Sequence, residues 1–333
     1  MMRCHVLIPN LFWPDPDFRI EPMPYLETLL ARGERTRGPG HSLEEWLCRT
    51  FKIRQQQDWP VAPLSLSSDT ADLDYWLRAD PVHLQLMRDE FRLVSGELLD
   101  ISEAEASKLV GALNRHYEHD GLRFAMEAPS LWLVRLPAQP QLSTTPLPEV
   151  LGRDVSPNLP KGADAMRWNH IANEIQMLFH EHPVNEAREK LGQFPINSLW
   201  FWGGGIAPDV RQSPFASISA NNAVARGLAR QTGIAYSPLP ENAGRWLSGL
   251  SGEGEHLVIL DDLLLPAKYR DGNEWDARLH ALEHSWFAPL HQAVQQGISL
   301  TLSDSESGLH FETGKLDLWK FWKRSRAVLD YSK

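Results

Sequence analysis

The sequence predicts an α/β fold with a second α/β domain inserted into the first. Two observations carry this. Short apolar runs ended by polar or turn residues alternate with helical patterns, most clearly as EHLVILD (255–261), a helix over 274–296, and a strand over 298–303, the spacing of a parallel βαβ unit. The segment 137–162 holds six prolines in 26 residues, which excludes regular structure there and marks a long surface loop or hinge. With 333 residues, 42% of them apolar, the chain can bury one large core or two ordinary ones. We expect core residues 1–64 and 250–333 around an inserted domain at 65–249.

In chain order, RCHVLIPN (3–10) reads as the buried first strand of a parallel sheet, its polar end lying where such sheets keep their ligands. A helix over 24–33 begins with Pro and ends at Gly. Ser42 with Glu45 forms a capping box for a helix to Phe51. DWPVAPLSL (58–66) is extended, and YWLRADPVHL (75–84) is a strand turning at Asp80-Pro81. Ser102 and Glu105 cap a helix running to His119 and stopped by Gly121. LWLVRL (131–136) is a strand, 164–181 a helix, and NSLWFWGGG (197–205) a strand running into three glycines. Residues 216–230 are helical, and 315–326 is an amphipathic helix with Leu316, Trp319 and Trp322 at i, i+3, i+6. That last segment docks on the body or serves a membrane surface or partner.

Composition narrows function. The chain carries 33 basic and 43 acidic side chains, net −10, against a general nucleic-acid binder. No apolar run reaches the ~18 residues of a membrane span. Two cysteines, Cys4 and Cys48, make neither a disulfide framework nor a four-thiolate zinc site, so both are expected in the core of a cytoplasmic protein. Gly203, Gly204 and Gly205 either let backbone amides approach a phosphate or allow close packing; they fit neither GxGxxG nor Walker A. HEHPVNEAR (180–188) lacks HExxH spacing, and its His pair does not share a helix face. Asp80, Asp261, Asp262 and Asp304 end strand-like runs, where they either ligate a dication or act as caps.

The order of these motifs resembles the archaeal-type cofactor-independent phosphoglycerate mutases over roughly residues 70–240. It runs from Arg78 in its strand, through an acidic segment and the Glu-Ala-rich helix from 102, to His182-Pro183-Val184-Asn185 with Arg188 and Trp202-Gly203-Gly204-Gly205 before Pro208. The chain also looks like the bacterial Rpf-type regulatory proteins found with pathogenicity-regulation genes. The resemblance implies an alkaline-phosphatase-like core with an inserted substrate domain. It also implies a Ser or Thr nucleophile and two divalent metals held by Asp and His. Residue by residue, the first-strand Asp falls on Asn10. No nucleophile segment appears in EPMPYLETLL. An Asp…His pair falls near Pro266 and Arg270, and a later Asp-His pair becomes Asp304-Ser305. Asn removes a charge that a dication needs, and Arg repels one.

The resemblance therefore implies a pseudoenzyme, regulatory or binding, that takes a small phosphorylated or anionic ligand or a protein partner. Its ligand-binding residues would be Arg78, His182, Asn185, Arg188 and Gly203–Gly205, with no cofactor expected. The alternative is an active phosphotransferase using Mn, Zn or Mg on Asp261, Asp262, Asp304, His284 or His310. A third reading is a ligand-free protein-interaction module.

Overall fold

A computed structural model describes residues 2–15, 17–68, 74–87 and 90–332. Residues 88–89 of the acidic segment lie outside them. The chain divides into two compact units, one of residues 1–52 and 210–333 and one of residues 53–209.

The first unit opens with β1 (Met2–Leu7), α1 (Pro24–Arg32), β2 (Glu34–Arg37) and α2 (Leu43–Thr50). The second contains α3 (Val61–Ser65), β3 (Tyr75–Met87), β4 (Glu90–Ser95), α4 (Glu103–His116), β5 (Arg123–Ala128) and β6 (Leu131–Leu136). It continues with α5 (Leu147–Val150), α6 (Ala165–His180), α7 (Pro183–Lys190) and β7 (Ser198–Gly205). The first unit resumes with β8 (Ser217–Ser219), α8 (Ala223–Thr232), β9 (Ala235–Ser237), α9 (Ala243–Gly249) and β10 (Gly254–Ile259). It closes with α10 (Leu264–Tyr269), α11 (Gly272–Leu282), α12 (Ala288–Gln296), β11 (Ser299–Asp304) and β12 (Leu309–Thr313).

The first unit is built on a seven-stranded sheet ordered β2-β12-β11-β1-β10-β8-β9. The five strands from β11 to β9 are parallel, and β12 and β2 add an antiparallel edge. Alternation along β1 sends Cys4, Val6 and Ile8 into a core shared with α1, α9, α11 and α12. His5 points to the other face, against Trp46 of α2 and Phe215. Both cysteines are buried and free, and burial pushes each thiol up to about 12.

Strands β8 and β9 with α8 belong to this sheet, so the units part at 52/53 and 209/210, against 64/65 and 249/250 in the sequence reading. Residues 216–230 are accordingly β8 followed by α8 with Asn222 as its cap, not one helix. The long helix expected over 274–296 is α11 and α12 joined by a π turn at Glu283–Phe287.

The second unit centres on β3. β4 and β6 share one of its edges, β7 takes the other, and β5 flanks β6, all antiparallel. The expected turn at Asp80-Pro81 is absent. β6 pairs with β3 only to Arg78 and β4 only from Val82, so Pro81 falls in the gap where no ladder donor is needed. Tyr75, Leu77 and Ala79 face a core formed with α4 and α6. Trp76 and Leu131 pack on the other face, against a small cluster of Ala62, Leu66 and Leu133. The Pro-rich stretch 58–66 is not fully extended, because Val61–Ser65 makes one buried helical turn, α3. The capping box at Ser102 forms as expected.

Candidate functional site

Two polar clusters stand out, one in each unit. In the first unit, parallel strands deliver their carboxyl ends to one edge, the usual ligand edge of such sheets. Asn10 follows β1 in a left-handed conformation, φ 61°. Its backbone N–H donates to Asp304 Oδ1 at 3.0 Å, and the Glu306 N–H donates to the same oxygen at 3.1 Å. Burial pushes the Asp304 carboxyl up to about 6 against these hydrogen bonds. Lys268 of α10 pairs its ammonium with Glu306 Oε1 at 3.0 Å. Asn10 Oδ1 and the Ser305 hydroxyl are buried there without a hydrogen-bond partner among the described residues, and the Ser307 hydroxyl lies against the Asp304 carboxyl and lowers its pKa.

Alongside, on the α2-facing side of the sheet, runs a partly buried chain of side chains. His5 Nδ1 donates to Glu255 Oε1 at 3.0 Å, and His5 Nε2 meets Ser303 Oγ at 2.8 Å. Ser303 Oγ meets His310 Nδ1 at 2.7 Å. The tautomers that satisfy all three contacts have Ser303 donating to His5 and accepting from His310. Burial, then the neighbouring His5, lowers the His310 pKa. Ser303 is fully buried, so its hydroxyl is not presented to a substrate. Reading the strands as apolar runs missed this chain. Its signal is present in polar residues at alternate strand positions, all on one face.

Among the described residues, the metal candidates do not gather into one cluster. Asp304 is turned into the hydrogen bonds above, and His310 Nδ1 is held by Ser303. His284 sits exposed in the π turn. Asp261 and Asp262 lie in the β10–α10 loop, and Leu263 rather than Asp261 occupies the cap position of α10. Among the described residues, no three His, Cys, Asp or Glu side chains group as metal ligands. Two dications held by Asp and His therefore do not fit the side chains at this edge, and an ammonium occupies part of it.

In the second unit, Arg78 lies between the sheet and α3. Its Nε and Nη2 donate to Asp80 Oδ1 at 3.0 and 2.8 Å, and Nη1 donates to Ser65 Oγ at 3.2 Å. Its guanidinium carbon stands 5.2 Å from the Trp202 ring centroid. Asp80 Oδ2 accepts from Trp202 Nε1 at 2.7 Å. Asp80 is buried; that burial raises its pKa, while Arg78, then the Trp202 bond, opposes the rise.

The three glycines lie within β7, and close packing is what they serve. A Cβ on Gly203 would sit 2.9 Å from Val61, on Gly204 2.5 Å from the Tyr75 hydroxyl, and on Gly205 2.6 Å from Pro60. The Gly203 N–H is already given to Thr144 Oγ1, which itself hydrogen-bonds Asp58.

The remaining three predicted site residues, His182, Asn185 and Arg188, gather elsewhere and hold the chain together. His182 caps α7, its Nδ1 accepting the Val184 N–H. The Asn185 amide donates to the Phe179 and Ile196 carbonyls and accepts the Ile196 N–H, each at 2.8 Å. Arg188, 2% exposed, donates to Glu105 Oε1 at 2.9 Å and to the Phe194 and Leu99 carbonyls. A buried arginine so engaged ties α4 to α7 and is not offered to an anion.

No protein-family model matches the chain. It is 26% identical over 195 residues to 2,3-bisphosphoglycerate-independent phosphoglycerate mutase 2 of Methanothermobacter thermautotrophicus, covering 56% of this chain and 46% of that protein. A probable 2,3-bisphosphoglycerate-independent phosphoglycerate mutase of Geobacter sulfurreducens is 27% identical over 150 residues, 45% of this chain and 38% of its own length. The matches thus span less than half the length of these curated relatives. Among solved structures, the PH0037 protein of Pyrococcus horikoshii shares the fold with a TM-score of 0.53 at 12% identity, over 93% of this chain and 87% of that one. The chain thus has a mixed α/β fold shared with the PH0037 protein and is similar, at low identity and over part of its length, to 2,3-bisphosphoglycerate-independent phosphoglycerate mutases.

Proposed function

We propose that this chain is a non-catalytic relative of the cofactor-independent phosphoglycerate mutases, with a binding or regulatory role in the cytoplasm. One observation carries the reading. At the carboxyl edge of the parallel sheet, the residues that the mutase resemblance assigns to dication binding are closed into the protein's own hydrogen bonds. Asp304 Oδ1 accepts the Asn10 and Glu306 N–H groups, and Lys268 neutralises Glu306. Phosphoryl transfer of the two-metal kind needs cations to stabilise the transferring charge, and the Asp304 hydrogen bonds with the Lys268 ammonium support a reading without them. The Rpf-type regulatory assignment and the choice between a small anionic ligand and a protein partner belong to this proposal. The resemblance supports them.

The test has two arms on the chelator-stripped protein. Melting is followed with Mn²⁺, Zn²⁺ and Mg²⁺, since a ligand specific to the native state raises stability by RT ln(1 + [L]/Kd). Interconversion of the two phosphoglycerate isomers is assayed with each metal present. The expected outcome is no metal-specific rise in melting temperature and no turnover. Turnover that disappears in Asp304→Asn would establish the alternative, an active metal-dependent phosphotransferase.

A further inference from the structure

We infer that the segment 315–326, with the cavity beside it, is a docking surface for anionic phospholipid bilayers. The sequence places five Lys or Arg residues and one acid in these twelve positions, in a chain whose net charge is −10. The cations are Lys315, Lys320, Lys323, Arg324 and Arg326, and the acid is Asp317. The segment is not the docked amphipathic helix its spacing predicts. Only Asp317–Trp319 makes a helical turn. The apolar side chains consequently face outward: Leu316 is 82% exposed, Phe321 74%, and Trp319 and Trp322 67% each.

The segment is held firmly at both ends. Leu318 is buried in the core of the first unit, and Arg32 donates to its carbonyl. Val328 and Leu329 are buried on the far side, and the Arg326 N–H donates to the Tyr331 hydroxyl. Between these anchors, Phe321 and Trp322 stack edge to face at 5.5 Å. The result is an exposed segment in which aromatic and cationic side chains are interspersed, with Lys320 paired to Asp317 and Lys323 donating to the Gly33 carbonyl.

A cavity of about 630 Å³ adjoins the loop, lined by Tyr25, Arg32, His291, Lys315, Leu318 and Trp319 among others. Arg32 Nε is buried there without a hydrogen-bond partner among the described residues. Burial, then Arg32, keeps His291 below its ordinary pKa, so the fixed charges lining the cavity are Arg32 and Lys315. Two cations beside a lining of Tyr25, Leu318 and Trp319 with polar Thr28 and Gln295 suit a phosphate head group.

The kind of partner follows from size and charge. Four side chains this exposed amount to roughly 600 Å² of apolar surface, with aromatic rings at 150–250 Å² each. A stable protein interface needs about 800 Å² per partner and a complementary shape. A second copy would bring like charge against like. A fluid anionic surface demands no shape, attracts each nearby Lys or Arg by about 1 kcal/mol, and accepts aromatic rings at its interface. The acidic remainder of the molecule would be repelled, which orients this edge toward the bilayer.

The experiment is vesicle flotation of the full chain with phosphatidylcholine alone and with phosphatidylcholine containing a quarter phosphatidylglycerol. Binding to the mixed vesicles only, weakened by salt, is expected. Trp319→Ala/Phe321→Ala/Trp322→Ala should abolish it. Lys315→Ala/Arg324→Ala should weaken it about tenfold or more. Both variants alter exposed positions, and unchanged melting temperatures confirm that they fold. No flotation at low salt overturns the proposal, as does binding that survives both variants. So does equal retention on heparin that ignores the aromatic variant, which would mark a general polyanion site. A wild-type dimer in solution that the aromatic variant dissociates overturns it too, since a second copy would then cover the loop.

Discussion

Asp304 shows how burial and hydrogen bonding set one residue's behaviour. Its carboxyl is raised to about 6, chiefly by burial. An acid whose folded pKa lies above its unfolded value of about 3.9 holds a proton in the native state that the unfolded chain has released. Stability therefore falls as pH rises from about 4 to about 6 and is flat above. At ~1.36 kcal/mol per pKa unit, the loss is on the order of 3 kcal/mol. Asp304→Asn keeps an oxygen for the Asn10 and Glu306 N–H groups and has no charge to desolvate. It should remove this slope and raise stability at pH 7 by about 1–3 kcal/mol, read by urea melts across the pH range. A metal ligand would behave oppositely, with the variant losing metal-dependent stabilisation. At the same scale, Asn185 and Arg188 show why residue type alone misleads. An amide and a guanidinium are equally apt for an anion or for backbone carbonyls. Which one they meet depends on where α4, α6, α7 and β7 place those carbonyls.

At the scale of the element, β7 is the clearest case. Its three glycines read equally as a phosphate cradle or as a packing device, and contacts with Val61, Tyr75 and Pro60 decide for packing. Gly204→Ala would press a methyl group to 2.5 Å from the Tyr75 hydroxyl and 2.6 Å from the buried Leu77 side chain. Overpacking of this kind costs about 1–3 kcal/mol. A fall in melting temperature of a few degrees, with the circular dichroism of the native state unchanged, is the expected result. An unchanged or raised melting temperature would show that the glycine is there for something other than fit. Helices with strong local signals, such as α4 with its capping box, appear where the sequence puts them, because the signal lies within a few residues of the helix itself. The segment 315–326 departs from its helical spacing for a tertiary reason. Its buried residue is Leu318, which the i, i+3, i+6 stripe of Leu316, Trp319 and Trp322 does not contain.

At the scale of the whole molecule, each unit has its own sheet and its own apolar cluster. The second unit is continuous in sequence, so residues 53–209 made alone should fold. A cooperative melt and dispersed amide resonances would confirm this, and a chain without either would show that the core is needed to form it. Among the described residues, no helix is long and apolar enough to cross a membrane.

The sequence by itself determined the α/β class, the parallel strand order, the buried cysteines and the similarity to phosphoglycerate mutases over part of the chain. These rest on periodicity, caps and motif order, which act between near neighbours in the chain. Only the tertiary structure decided that 210–249 belongs with the core, because sheet membership is fixed by pairing between β8 and β10, far apart in sequence. Tertiary contacts likewise closed Asp304 onto Asn10, joined His5 to Ser303 and His310, and turned Arg188 inward. A side chain's partners are set by what the fold brings within hydrogen-bond distance, and separations of up to nearly 300 residues leave no local trace.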